Sequence, residues 1–425
     1  MKILIVSYEA WRETNNGGNV LSNIFTAFPD ADIAQVYCCG EGPQNSVCRK
    51  YFQVSDGMLL TKEKGRRLAE RDYSTDEPCQ PEVLENKVKS KIPAVFNEAA
   101  LLAREVLWSV ANWKTRALED FVLDFCPDVI FAPCYSYFHV SKLALHIKEI
   151  ARCPMISYIS DDNASLRQFR FSPSFWINRI ITRKWIKRHF SQCALVYTMT
   201  QLQKQEYEAK YGCPMKILCK SAEFEPRDRE TGDPIRFIYG GGLYLNRWKI
   251  LTQIRNALES VNQTGIKAQL HIYSGSRLNP RRAALLNDGK NAVLHDPVPY
   301  RELMERYRES DVAIHAEAFD LKNRLITRLS FSTKIIDCMC SGCAVLAVGP
   351  AGQAGISYLR DNDAAVCVSD TKELYRVISE LVEHKERIGT YAQKAYELGR
   401  RNHMKTQIDE DLRRDFADIV RIGGA

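Results

Sequence analysis

Short apolar runs, many of them rich in β-branched residues, recur along this chain, and stretches of helical period separate them. In the first half the runs are Lys2–Ser7, Asp32–Cys38, Asp128–Ala132, Pro154–Ile159, Leu195–Met199 and Met215–Leu218. In the second half they are Ile235–Tyr239, Ala268–Tyr273, Ala292–Leu294, Asp311–Ile314, Ala344–Val348 and Ala365–Val368. Strands alternating with helices in this way predict parallel α/β sheets. At 425 residues the chain is too long for one core, so two domains of about 200 residues each are expected. The best linker is Ser221–Pro234, which is polar and carries Pro, Gly and charge. Residues 55–92 read as a polar, irregular excursion, and Val95–Phe125 has long helical periodicity.

Composition excludes several classes. No apolar run approaches the ~20 residues that span a bilayer. MKILIVSYEA reads as a first strand, since no small-residue cleavage site follows it. Fourteen scattered Cys form no small disulfide framework, which fits a reducing cytoplasm. Cys340 and Cys343 have C-x-x-C spacing, but they lie at a helix end and have no second pair, so they read as small residues flanking a glycine cap. The formal charge is +7, and Leu166–Phe190 supplies much of it. That segment holds Arg167, Arg170, Arg179, Arg183, Lys184, Lys187 and Arg188 with interleaved Phe and Trp, and no acid. A solvated helix face, a nucleic-acid patch and a face resting on anionic lipid all fit; the aromatic residues favour lipid.

Four places carry candidate chemistry. Gly17-Gly18 precedes a helix expected over Asn19–Phe28, either as a close approach to a ligand or as a turn. Asp161 and Asp162 follow the strand Pro154–Ile159, where carboxylates serve as a base or bind an acceptor; capping a turn is the alternative. Gly240, Gly241 and Gly242 join a strand to a helix starting near Arg247, a backbone cradle for phosphate with Arg247 and Lys249 behind it. The strand Ala268–Tyr273 ends likewise in Ser274-Gly275-Ser276. The fourth place is His315–Pro350. It opens with Glu317 beyond a strand and continues through a basic connection holding Lys322, Arg324 and Arg328. It then enters a helix that Ser332 or Thr333 can cap and Gly342 ends. Lys334 and Asp337 share a face of that helix, as a surface ion pair or as a site for phosphate and hydroxyl groups.

With these motifs the chain resembles the GT-B nucleotide-sugar glycosyltransferases, and more closely their retaining group with a Glu-x7-Glu signature. The resemblance covers nearly the whole chain and is strongest over Ile235–Tyr358. It implies two Rossmann-like domains with doubly wound parallel sheets facing across a cleft. An acceptor domain would span 1–225 and a donor domain 226–400, and a helix over 401–425 would cross back onto the first. The resemblance places the donor diphosphate on Gly240–Gly242 and Arg247, the donor hexose on Glu317 within Glu317-Ala318-Phe319-Asp320, and the ribose on Asp337. Gly17-Gly18 is similar to the family's loop near the transferred sugar, and the loop from Gly349-Pro350 to Tyr358 would line the same cleft. Nineteen residues, not seven, separate Glu317 from Asp337, and the second acid is Asp. A divergent branch with a Ser-x-Lys helix start, matched by Ser332-Thr333-Lys334, fits that spacing. Arg324, Arg328 and Lys334 would share the phosphate work there.

The expected function is therefore transfer of a hexose-type sugar, from a UDP-sugar by preference, to a glycan or lipid-linked acceptor in surface polysaccharide assembly. Retention of configuration is implied, with no metal or other cofactor. Glu317, Asp161 and Asp162 are the candidate catalytic residues. The expected location is the cytoplasm, peripheral to the inner face of the membrane through 166–190, with no nucleic-acid partner. Two rivals remain: a GT-B nucleotide-sugar 2-epimerase, and a non-enzymatic membrane- or nucleic-acid-binding α/β protein.

Overall fold

The computed structural model describes residues 1–13, 16–61, 63, 65–69, 97–226 and 228–423. The chain forms two compact units. The first comprises Met1–Leu218 with Ile408–Ala425, and the second Cys219–Gln407.

The first unit is built on β1 (Lys2–Ser7), β2 (Asp32–Tyr37), β3 (Lys50–Gln53), β4 (Arg66–Arg67), β5 (Val129–Pro133), β6 (Met155–Ile159), β7 (Leu195–Thr198) and β8 (Met215–Ile217). They form one sheet in the order β4-β3-β2-β1-β5-β6-β7-β8. All pairs are parallel except β3 with β4. Ile3 stands opposite both Ile33 and Val129, so β1 is flanked on each side. Its residues Ile3–Val6 are fully buried, as expected of a parallel strand covered by helices on both faces.

The second unit holds β9 (Ile235–Gly240), β10 (Ala268–Tyr273), β11 (Ala292–His295), β12 (Val312–Ala316), β13 (Ala344–Val348) and β14 (Val366–Val368). These form a parallel sheet in the order β11-β10-β9-β12-β13-β14. The helix Arg247–Val261 buries Ile250, Leu251, Ile254 and Leu258 against it, an i, i+1, i+4, i+8 stripe.

Each sheet reverses its strand order once, between β1 and β5 and between β9 and β12. Open α/β sheets bind ligands outside the carboxyl ends of strands at such a switch point. In the first unit that edge carries Tyr8 and Tyr135; in the second it carries Gly241 and Glu317.

Several sequence expectations shift. The expected helix Val95–Phe125 is two helices, Asn97–Val110 and Arg116–Phe125, the second capped by Thr115; residues 95–96 lie outside those described. Within the expected excursion 55–92, Asp56–Thr61 is a helix and Arg66–Arg67 a strand, while 70–92 lies outside the described residues. The helix after β1 starts at Asn16, so Gly17 and Gly18 lie in its first turn and not before it. A Cβ on Gly18 would sit 1.8 Å from the Arg12 carbonyl oxygen, so this glycine serves close packing of the preceding loop. The basic connection after Glu317 contains the helix Leu321–Thr327.

The last helix, Lys405–Gly423, brings its C-terminal part into the first unit. There Phe416 packs against Phe25, Phe28 and Phe131, and Asp415 accepts from Tyr197 Oη at 2.8 Å and pairs with Lys216.

Candidate functional site

The turn leaving β9 is held from several sides. Gly240 N–H donates to Tyr307 Oη at 2.9 Å, and a Cβ at Gly240 would press on Leu303 and Tyr307 at about 3 Å. Gly241 has φ +145°, a conformation L side chains rarely adopt. A Cβ there would lie 1.8 Å from Lys334 Nζ. The Lys334 ammonium, at the start of the helix Lys334–Cys340, thus rests on the glycine turn. Leu243 N–H donates to Ser276 Oγ at 2.8 Å, and Tyr239 Oη donates to the Gly242 carbonyl at 2.7 Å. Leu245 and Asn246, both left-handed, then swing the chain into the helix that begins at Arg247.

Arg247 and Glu317, read from sequence as parts of different subsites, bond to each other. Arg247 Nη2 donates to Glu317 Oε1 at 2.8 Å, and both residues are buried. Glu317 Oε2 is also buried and has no hydrogen-bond partner among the described residues. Burial raises the Glu317 pKa against the pull of Arg247. Burial would lower the Arg247 pKa, but Glu317 more than offsets it and the guanidinium stays charged. Lys334 is pushed down to about 8 by burial and by Arg247. His315, with Nε2 3.9 Å from Glu317 Oε1, falls to about 3 through burial, Arg247 and Lys334, so its imidazole is neutral at pH 7. Two cations against one carboxylate leave this corner of the switch point with net positive charge, suited to an anionic ligand.

Asp337 faces different partners from Lys334, which removes the surface-pair reading. Its Oδ1 accepts from Lys220 Nζ at 2.5 Å and from Tyr300 Oη at 2.7 Å, and Lys220 also donates to Tyr300 Oη at 3.0 Å. Burial would lower the Lys220 pKa, yet Asp337 and Tyr300 drive it up to about 12. Neither Lys220 nor Tyr300 was singled out by the sequence reading. No motif marks them, and Lys220 lies 117 residues from its partner.

The remaining candidates are more dispersed. Ser332 and Thr333 lead into the helix half-buried, and Thr333 makes no side-chain cap. Lys249 is exposed, with its ammonium 5.7 Å from the Trp248 ring centroid. Ser274 Oγ accepts from Ser276 N–H at 3.2 Å beside exposed Gly275. Arg324 is exposed on the helix Leu321–Thr327, while Arg328 is half-buried and its carbonyl accepts from Ala354 N–H at 3.2 Å. Asp320 caps that helix through Asn323 N–H at 3.3 Å and also accepts from Asn246 Nδ2 at 3.1 Å, tying the insert to the glycine turn. A Cβ at Gly349 would meet the Glu317 Cβ at 3.0 Å, so the loop after β13 passes directly behind the carboxylate. Tyr358 at its far end bonds instead to His403 and Asn402, at 2.8 and 3.0 Å.

In the first unit, Asp161 is exposed at the end of β6, whereas Asp162 is buried. Asp162 Oδ1 accepts from Ser165 N–H at 2.9 Å and Tyr207 Oη at 3.1 Å, the turn-capping geometry given above as the alternative to a catalytic role. The switch point of this sheet carries a group the sequence reading passed over. The Tyr8 and Tyr137 ring centroids lie 4.8 Å apart, and the Arg104 guanidinium stands over both while donating to Tyr8 Oη at 3.0 Å. Behind them Glu105 accepts from His139 N–H at 3.0 Å and holds His139 Nδ1 at 2.8 Å. Among the described residues no group of three or more His, Cys, Asp or Glu is placed to hold a metal ion.

Comparison with known proteins bears on the fold. Residues 249–412 match a family model described as glycosyl transferase-like. Among curated protein sequences none matches the chain. Solved structures of the same fold include sucrose-phosphate synthase from Thermosynechococcus elongatus, with TM-score 0.62, 14% identity and 99% of each chain covered. They also include α,α-trehalose 6-phosphate synthase from Burkholderia multivorans, with TM-score 0.60, 11% identity and coverage of 100% of this chain and 98% of that one. A third is Anabaena Alr3699/HepE in complex with UDP, with TM-score 0.57, 13% identity and coverage of 98% of this chain and 100% of that one. The chain thus has two parallel-sheet α/β units of the GT-B class, with a glycosyltransferase-like region over residues 249–412.

Proposed function

We propose that the protein is a glycosyltransferase that moves a hexose-type sugar from a nucleoside-diphosphate sugar, UDP-linked by preference, to a glycan or lipid-linked acceptor in surface polysaccharide assembly. The observation that carries this reading is the meeting of Gly241, Lys334, Arg247 and Glu317 at the switch point of the second sheet. A diphosphate leaving group gains negative charge as the glycosidic bond breaks. Preorganised cations and backbone N–H groups stabilise that charge without rearranging. In this reading Lys334 and the glycine turn receive the diphosphate and Arg247 supports it. Glu317, held by Arg247, offers its second oxygen to a sugar hydroxyl. The Asp337–Lys220–Tyr300 group takes the ribose.

The neighbour bound to UDP supports the choice of nucleotide. Retention of configuration follows from the resemblance alone and joins the proposal on that footing, as does independence from metal. Asp161 and the Tyr8–Tyr137–Arg104 group are the acceptor side of the proposal, because they occupy the carboxyl edge of the first sheet.

The test is hydrolysis and transfer across UDP-, GDP- and ADP-sugars with Arg247→Ala and Lys334→Ala. Each variant should lose at least about tenfold in kcat/KM on the preferred donor, as expected for removing a charged contact to the leaving group. Full activity in both would remove the diphosphate assignment.

A further inference from the structure

The basic segment 166–190 lies outside the reaction just described, and its structure sorts residues that the sequence left mixed. The helix Pro173–Phe190 starts at Ser172, whose Oγ accepts from Phe175 N–H at 3.3 Å. It buries Arg179, Thr182, Ile186 and Phe190, the i, i+3, i+7, i+11 face. Two of the seven cations therefore have structural work. Arg179 Nη2 donates to the Asp162 carbonyl at 2.8 Å, and Arg183 Nη1 donates to the Ala164 carbonyl at 2.6 Å, so both hold the turn after β6. Arg170 lies 3.6 Å from Glu98.

What remains outside is ordered along the helix. Phe171 is 87% exposed, and Ile177 and Ile180 are each 50% exposed on the same outward stripe as Pro173. Lys184, Lys187 and Arg188 continue that stripe and are exposed in turn. The outward face is thus apolar at its beginning and cationic at its end, and no acid occurs between Asp162 and Glu206. Phe171 packs edge-on against Phe169, itself 46% exposed, with ring centroids 5.1 Å apart. This aromatic pair and the two isoleucines thus form an apolar cluster open to water, and clustered exposed apolar groups mark interaction surfaces.

We infer that this outward face docks the protein on an anionic lipid bilayer, with Phe171, Ile177 and Ile180 entering the headgroup boundary and Lys184, Lys187 and Arg188 resting on lipid phosphates. Charge decides the choice of occupant. Three cations free of acidic neighbours on the segment complement an anionic surface, and apolar groups beside them gain from the acyl boundary. A polynucleotide would use the cations but leave the isoleucines without a role. The inference stands apart from the donor reading, since none of these residues belongs to the second unit.

Flotation of the full chain with vesicles tests it, using phosphatidylcholine alone and phosphatidylcholine with about a quarter phosphatidylglycerol. The wild type should float with the anionic vesicles only, and less so in about 0.5 M salt. Lys184→Glu with Lys187→Glu should lower the partition about tenfold or more. Phe171→Ser with Ile177→Ser should do the same by removing apolar insertion, leaving melting temperature and UDP-sugar hydrolysis without vesicles unchanged. Equal flotation with neutral and anionic vesicles overturns the inference, as does wild-type flotation by either double variant. Salt-sensitive binding of a short single-stranded RNA without vesicle flotation would overturn it in favour of nucleic acid.

Discussion

Lys334 Nζ lies where a side chain on Gly241 would begin, and that placement makes its charge conditional on what it binds. Burial and Arg247 hold its pKa at about 8, whereas an unfolded lysine titrates near ~10.4. Between those values the unfolded chain binds more protons than the free folded protein, so this group makes stability rise with pH across that window. A bound diphosphate has the reverse preference, because it favours the ammonium. UDP affinity should be greatest below pH 8 and fall above it, by up to about tenfold per pH unit. Calorimetry in two buffers of different ionisation enthalpy should show proton uptake on binding near pH 8.5. Lys334→Met should bind UDP more weakly, with no dependence on pH over this range. If wild-type binding takes up no proton, Lys334 does not meet the diphosphate. The residues of this corner were legible individually, since glycines after a strand and a lysine at a helix start are local patterns. The Arg247–Glu317 bond and the clamp of Lys220 and Tyr300 on Asp337 were not, because they depend on side chains brought together over long chain separations.

At the scale of elements, burial decided what periodicity could show. Ala268–Tyr273 and Ala344–Val348 have the bounds read from sequence, each being a short apolar run with a sharp end. The segment Leu166–Phe190 reads as a basic stretch with interleaved aromatics, but only part of the helix within it faces outward. The 179/182/186/190 stripe that turns Arg179 inward is visible in the sequence once the helix phase is fixed. The insert after Glu317 was read as a basic connection because seven residues give too few turns for a periodic signal. Its cap was nonetheless present: Asp320 stands one residue before the helix and accepts from Asn323 N–H. Asp320→Ala should lower stability by about 1 kcal/mol, as loss of an N-cap does. It should also weaken UDP binding, since Asn246 loses its tie to the insert just before Arg247. Urea unfolding and UDP titration measure the two effects. Unchanged UDP affinity would show that the insert does not help position the turn.

Across the whole molecule, the alternation of strands and helices announced two α/β sheets. The units divide at Leu218 and again at Gln407, so each is assembled from chain on both sides of a crossing or between two crossings. That second crossing has a measurable consequence, because the first unit depends on residues supplied from the far end of the chain. Phe416 is fully buried among Phe25, Phe28 and Phe131, all in the first unit. Removing a buried phenyl ring of this kind costs about 3–5 kcal/mol. Phe416→Ala should therefore destabilise the first unit by about that much in denaturant unfolding followed through its aromatic signal. The groups assigned to UDP all lie in the second unit, so UDP affinity measured below the unfolding transition should stay within about twofold of wild type. Proportional loss of UDP affinity in Phe416→Ala would mean that the donor site draws on the first unit, and the assignment of Gly241, Lys334, Arg247 and Asp337 as sufficient for the nucleotide would have to be given up.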